Sequence, residues 1–343
     1  MAVLRRAFSF LHQTGCRIKN GLYALGIKRA ARAPLPVLSV GNLSFGGTGK
    51  TPLALEILAY LRALGLKPAL ISRGYRGRWE RSGGIVPAGG GGPGAWRDAG
   101  DEPALAARKL PGIGVFVGKS RLASCRKARD MGFQVAVLDD GFQHRRLERD
   151  LDIVLFDPAE SSFLREPLSS LKRTDLILVR DECPASRPLG RAARFIRRDK
   201  AYSYKTVPDG LVYPDGRAAF PQEHLKGKKV LAFCGIARPD RFFELLEASG
   251  ARVVRRFSFP DHFSYPPEAL MKIRGAFEES GADVAVTTEK DAVKLDPPDG
   301  FPDGVPLFVF RIKLELPGRF FERIRETLRK HGAGTEPWPL KEA

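Results

Sequence analysis

The tightest restriction on the fold comes from residues 35–64. Leu35-Pro36-Val37-Leu38-Ser39-Val40 is a short apolar run of the kind that fills a buried strand. Gly41 to Thr51 (GNLSFGGTGKT) is a glycine-rich loop, and Pro52 to Leu64 is patterned as a helix with proline in its first turn. A strand that turns through glycines into a helix aims backbone N–H groups and the positive end of the helix dipole at one point, which makes a cradle for an anion. Ser44, Phe45, Gly46, Gly47, Thr48, Gly49, Lys50 and Thr51 form the candidate phosphate loop, with Ser44 where the usual pattern has its first glycine. Lys50 is positioned to reach the terminal phosphates of a nucleotide, and the Thr51 hydroxyl to ligate Mg²⁺.

The rest of the first half reads as alternating strands and helices. Lys67 to Ser72 is a strand followed by Arg73-Gly74-Tyr75-Arg76-Gly77-Arg78, and residues 79–99 read as a flexible glycine-rich surface loop with no core of its own. Gly100-Asp101-Glu102-Pro103 opens a helix. Its two carboxylates either complement the helix dipole or place a proton acceptor at the mouth of the sheet. Gly114 to Val117 is a strand ending in Gly118-Lys119-Ser120-Arg121. Gln134 to Asp140 is an apolar strand that ends in two aspartates about ninety residues after Lys50, where a P-loop protein keeps the carboxylate near its Mg²⁺. Gly141-Phe142-Gln143-His144 continues that loop, and Leu151 to Asp157 and Asp175 to Arg180 are further strands.

Residues 185–227 read as a basic connecting segment, with Arg187, Arg191, Arg194, Arg197, Arg198, Lys200 and Lys205 around Asp199. The alternation then restarts. Strands are expected at 229–234, 252–259, 283–288 and 305–312, and helices from Arg238-Pro239-Asp240 to Ser249, at 266–280 and at 317–330. Two parallel-type sheets with a cleft between them suit an enzyme that closes over a nucleotide. The loops Pro260-Asp261-His262-Phe263 and Thr287-Thr288-Glu289-Lys290-Asp291 are expected to face the phosphate loop across that cleft.

Composition narrows the partners. The chain has 343 residues, and 57 Lys+Arg against 39 Asp+Glu leave a net charge of +18, which calls for an anionic partner: nucleic acid, an acidic lipid surface or a phosphorylated substrate. No RNP pattern, zinc finger or basic stripe interleaved with aromatics is present, so nucleic acid is not expected. No apolar stretch is long enough to span a bilayer. Cys16, Cys125, Cys183 and Cys234 lack paired spacing, which fits a reducing cytosol, and no obligate protein partner is inferred. Arg5-Arg6 before a short apolar run faintly resembles an export signal, but the run stops at His12-Gln13 without a cleavage site, so the segment is read as retained. Residues 1–33 hold seven basic residues and no acidic one, with Val3, Leu4, Ala7, Phe8 and Leu11, then Ile18, Leu22 and Leu25, at helical spacing. Such a helix either lies in a lipid headgroup layer or packs on the body with its basic face in water.

SVGNLSFGGTGKTP, SRGYRGR, GDEP, VGKSR, VLDDGFQHRRLERDLDIVLFD, LREPLSSLKRTDLILV, FCGIARPDRFF, FPDHF and TTEKDAVKL occur here in one order. Together they resemble the tetraacyldisaccharide 4′-kinase family of lipid A biosynthesis over roughly residues 35–312. The resemblance implies an α/β fold: a P-loop NTPase-like parallel sheet lobe (34–184), a connecting segment (185–227), a smaller second α/β lobe (228–343), and an N-terminal amphipathic helix (1–33) that meets the anionic lipid of the cytoplasmic face of the inner membrane. It implies transfer of the ATP γ-phosphate, with Mg²⁺, to the 4′-hydroxyl of an acylated glucosamine disaccharide 1-phosphate, giving the 1,4′-bisphosphorylated lipid. It also implies Asp101 as catalytic carboxylate with His262 as partner, and Asp139, Asp140 and, from the REP motif, Glu166 beside the metal. Asn42, Arg73, Glu102, Arg121 and His144 fall in motifs that line the acceptor site. The stretch between Asp157 and Leu164 is short for the family, and the insert at 83–94 is peculiar to this chain. The alternative is a P-loop kinase or ATPase acting on a water-soluble small molecule.

Overall fold

The computed structural model describes residues 2–45, 47–92, 94–158, 164–181, 189–216, 218–295, 301 and 304–332, with backbone alone for residues 2–12. Gly46, Cys183, Arg187, most of the 157–164 stretch and the side chains of Val3, Leu4, Arg5, Arg6, Ala7, Phe8 and Leu11 therefore lie outside the described residues.

α1 (Ala2–Ala24) leads into β1 (Val37–Asn42), α2 (Lys50–Ala63), β2 (Pro68–Ser72), α3 (Trp79–Ser82), β3 (Gly84–Val86), α4 (Trp96–Ala99), α5 (Asp101–Lys109), β4 (Gly114–Val117), α6 (Arg121–Asp130), β5 (Val135–Leu138), β6 (Leu151–Phe156) and β7 (Leu176–Arg180). Then follow β8 (Ala201–Val212), β9 (Ala219–Phe220), β10 (Lys229–Cys234), α7 (Pro239–Ala248), β11 (Arg252–Ser258), α8 (Pro267–Ser280), β12 (Val284–Thr288), α9 (Glu289–Ala292), β13 (Leu307–Glu315) and α10 (Gly318–Lys330). The order across the sheet is β11-β10-β12-β13-β8-β7-β6-β1-β5-β2-β4-β3, with β9 paired on β8. β1 lies between β5 and β6, parallel to both, so the loop after it opens at the centre of the first half, at the carboxyl ends of its strands.

The two expected sheets are one continuous structure, and β8 is the reason. Its first residues, Ala201 to Tyr204, pair parallel with β7, and Lys205 to Val212 pair antiparallel with β13. The segment expected as a mere connection therefore carries the longest strand of the fold and joins the halves. β1, β2, β5 and β6 are buried along their whole length because helices cover both faces of a parallel sheet, which is why they read as unbroken apolar runs.

Residues 79–99 are not the structureless loop expected from their glycines. Trp79–Ser82 and Trp96–Ala99 are helical, and Gly84–Val86 adds an antiparallel edge strand to β4. Val86 and Ala99 enter the main core. The sequence hid this because glycine-rich composition masks three short elements, each below the length at which periodicity can be read.

α10 also departs from the expected division at 228. Phe320, Ile324 and Leu328 are buried together with Leu53, Ile57 and Leu61 of α2, and Tyr60 meets Phe321 with ring centroids 4.6 Å apart. The closing helix thus crosses back onto the first half. Phe320→Ala should cost about 3–5 kcal/mol of stability, read as a lower urea midpoint. A loss below about 1 kcal/mol would mean that α10 does not share this core.

Candidate active site

The loop after β1 is held from below. Asn42 is fully buried, and its Nδ2 donates to Thr48 Oγ1 at 2.9 Å and Ser44 Oγ at 3.4 Å. Expected among the acceptor-site residues, Asn42 instead braces the phosphate loop from inside the protein. The buried Tyr204 hydroxyl donates to the Thr48 carbonyl at 3.0 Å, so the joining strand touches the loop too. Gly49 takes φ +90° at the helix start, a left-handed turn that a side chain would strain. α2 follows with Leu53, Ile57 and Leu61 buried along one stripe, which points its N-terminus at the cradle. From the second half, Ala237 and Arg238 close over the loop: a Cβ added at Gly47 would stand 3.3 Å from the Ala237 Cβ.

Both aspartates after β5 reach this helix start. The Thr51 hydroxyl donates to Asp139 Oδ2 at 3.1 Å, while the other carboxylate oxygen, Oδ1, is buried without a hydrogen-bond partner. Burial first, then Glu102 and Asp140, push the Asp139 carboxyl up to about 7, against the pull of Lys50 and Thr51. Burial would raise Asp140 as well, but Lys50 at 3.5 Å and Arg165 at 3.0 Å hold it below the usual range. Asp140 has φ +53°, a conformation that non-glycine residues hold only when neighbours fix it, and these two cations supply the restraint. Among the described residues no three His, Cys, Asp or Glu side chains cluster as a metal cage. The pair of Thr51 Oγ1 and an orphaned Asp139 oxygen fits Mg²⁺, which takes few protein ligands and completes its shell with phosphate and water.

Glu166 is not in this group. Its carboxylate is buried and occupied by Arg173 at 3.0 Å and by Asn20 of α1 at 3.1 Å. The resemblance expects Glu166 beside the metal; its carboxylate here rests on Arg173 and Asn20, and its neighbour Arg165 is the residue of that motif that reaches Asp140. Arg173 and Asn20 supply the charge and the hydrogen bonds that a buried carboxylate requires. The same contacts dock α1, together with Lys19 Nζ on the Gln143 carbonyl at 2.7 Å. Ile18 (63% exposed), Leu25 (76%) and Ile27 (67%) stay outside, so the body does not cover this apolar surface.

The second cluster joins the two halves. Asp101 begins α5 in the first half, and His262 follows β11 in the second. His262 Nδ1 lies 2.9 and 3.0 Å from the two Asp101 oxygens. Lys290 stands 3.5 Å from Glu102, 3.1 Å from Asp261 and 3.4 Å from His262 Nε2. His262 has φ +62° and packs edge-on against Tyr75, with ring centroids 5.2 Å apart. Burial would raise the Asp101 carboxyl, yet His262, Lys290 and Lys294 together bring it below its ordinary value. Sequence reasoning put the loop holding Lys290 at the cleft but gave no role to Lys290 or Lys294. The TTEKDAVKL motif was the available signal.

The remaining expected residues surround this space without meeting at one atom. Arg73 is half-exposed and bonded to Glu80 at 2.6 Å. Arg121 is buried at the start of α6 and donates to the Gly118 carbonyl at 3.2 Å. Its guanidinium is depressed first by burial, and Asp140 is the strongest opposing charge. Burial and the cations Arg121, Lys19, Arg149 and Arg146 lower the His144 imidazole to about 4, so it is neutral at physiological pH.

A phosphate loop at the centre of a parallel sheet, an aspartate on its threonine, and a carboxylate–imidazole pair made only by two halves together define a P-loop phosphotransferase. A family model described as tetraacyldisaccharide-1-P 4′-kinase matches residues 1–329. The chain belongs to this LpxK family, and it is a kinase of lipid A biosynthesis. It is 35% identical to the tetraacyldisaccharide 4′-kinase of Syntrophus aciditrophicus (strain SB), over 96% of this chain and 94% of the relative. It is 40% identical to that of Anaeromyxobacter dehalogenans (strain 2CP-C), over 87% and 82%. Among solved structures, LpxK from Aquifex aeolicus in complex with ATP is similar with a TM-score of 0.74 at 29% identity, covering 95% of this chain and 99% of that one.

Proposed function

We propose that the chain transfers the γ-phosphoryl group of ATP to the 4′-hydroxyl of a tetraacyl glucosamine disaccharide 1-phosphate at the cytoplasmic face of the inner membrane. The observation that carries this reading is the meeting of Asp101 and His262 across the two halves. Two groups from opposite sides of a nucleotide cleft form a proton acceptor only when the cleft is closed, which couples chemistry to closure.

In this reading residues 44–51 hold the triphosphate through backbone N–H groups, and Lys50 leaves Asp140 to neutralise the phosphate being transferred. Arg165 then remains to balance Asp140. Thr51 and Asp139 hold Mg²⁺, which supplies charge neutralisation on the phosphates. The Asp101–His262 pair takes the proton of the acceptor hydroxyl as a unit, so its titration belongs to both groups. Arg73, Glu102, Arg121 and His144 face the acceptor around this centre, and Asn42 keeps the loop in shape beneath it.

The membrane part of the proposal rests on α1. Its described surface exposes Ile18, with Leu25 and Ile27 just beyond it, among Arg17, Lys28 and Arg29. Apolar side chains beside cations match an interface of acyl chains and anionic headgroups, and no helix among the described residues is long and apolar enough to cross a membrane.

The test is an assay of the purified protein with labelled ATP, Mg²⁺ and the disaccharide 1-phosphate in mixed micelles. The expected product is a bis-phosphorylated glycolipid, with a rate that falls as salt rises if anionic lipid is included. Transfer to a water-soluble acceptor, with no turnover of the acylated disaccharide, would replace this reading with that of a small-molecule kinase.

A further inference from the structure

Lys294 is a lysine where lysine is costly. Its side chain is 1% exposed, so its ammonium is out of water. Nζ lies 2.8 Å from Asp291 Oδ1, and Asp291 is itself fully buried. The other Asp291 oxygen is taken by the Gly235 N–H at 2.9 Å and the Thr288 hydroxyl at 2.7 Å. That pair alone would be replaceable by apolar residues at little cost, since a buried ion pair recovers its desolvation penalty poorly. What distinguishes Lys294 is its second neighbour: Asp101 Oδ2 of the first half, 3.8 Å away.

We propose that Lys294 is a positioning residue for the phosphoryl transfer: its buried ammonium, carried by the second half, anchors the Asp101 carboxylate across the closed cleft, with Lys290 as its outer companion. The inference rests on the kinase reading above and extends it. The charges around Asp101 divide between the two lysines. Lys290 serves Asp261 and Glu102 at the rim, 3.9 Å from Asp101, and Lys294 serves Asp291 and Asp101 beneath it. His262 takes the remaining side of the carboxylate, and Arg76 ties the Asp261 carbonyl at 3.3 Å. Three nitrogen groups of the second half thus meet one buried carboxylate of the first. A carboxylate fixed in charge and direction keeps His262 in a single orientation for the acceptor hydroxyl.

The experiment is the pH dependence of kcat/KM for the full-length protein in micelles, between about pH 5 and 9. Lys294→Met should move the acidic limb, which belongs to the Asp101–His262 pair as a unit, upward by about one unit, because losing a nearby cation makes the pair hold its proton more tightly. Below the limb this is an approximately tenfold loss of kcat/KM that recovers as pH rises. Lys294→Arg should restore the limb, and Lys290→Met should move it in the same direction. Lys294→Met combined with Asp291→Asn removes the buried pair without leaving a lone charge, so the limb can be read even if the single variant does not fold. A loss by one constant factor at every pH, with the limb unmoved, would assign the lysine a merely structural role and overturn the proposal. An unmoved limb in active variants defeats this inference alone, whereas a wild-type protein inactive on the disaccharide defeats the kinase reading beneath it.

Discussion

Asp101→Ala is expected to lower kcat by about 10²–10⁴-fold while ATP still binds. The carboxylate lies at the start of α5 and does not touch the phosphate loop's own hydrogen bonds, so nucleotide affinity has no reason to collapse. Its loss removes both oxygens that hold His262 Nδ1, and with them the orientation of the imidazole. It also leaves Lys290 and Lys294 with one fewer counter-charge, which makes the closed cleft less favourable. Single-turnover rates with saturating ATP, beside calorimetric ATP binding, separate these effects. Near-normal turnover would remove Asp101 from the chemistry.

Lys50→Ala should be at least as damaging, about 10³-fold or more in kcat, with weaker ATP binding as well. The ammonium is the one described cation of the loop itself, and it rests 3.5 Å from Asp140. Removing it subtracts charge from the transferred phosphoryl group. It also deprives the Asp139–Asp140 pair of a cation that lowers both carboxyls, so Mg²⁺ meets a pair more inclined to keep a proton. Lys50→Arg should recover little, because a planar guanidinium does not fit a space shaped for a compact ammonium. Activity of Lys50→Ala within about tenfold of wild type would exclude the loop from phosphoryl transfer.

The sequence by itself determined the parts whose chemistry is local. The run from Leu35 to Leu64 fixed a strand, an anion loop and a helix, because glycine placement, apolar runs and helix starts are all decided within a few residues. The apolar strand ending at Asp139-Asp140 likewise named a side chain that meets the loop, whereas the meeting of Asp101 and His262 was implied only by the resemblance of the GDEP and PDHF motifs to a known family.

Only the tertiary structure decided where long-range pairings fall. That β8 belongs to both halves depends on two partners, β7 and β13, far apart in sequence. That α10 returns to α2 depends on which apolar face was left uncovered, and helical spacing does not say which surface a stripe meets. Glu166 shows the same limit at a single residue. A buried carboxylate takes its surroundings from whichever groups fold against it, here Arg173 and Asn20, and neither was legible beside it in the sequence. Lys294 is the converse case: an ordinary lysine in the sequence becomes part of the site because folding strips it of water and leaves it between two aspartates, one from each half. Local propensity sets what a segment becomes, and desolvation and charge pairing across the fold set what it does.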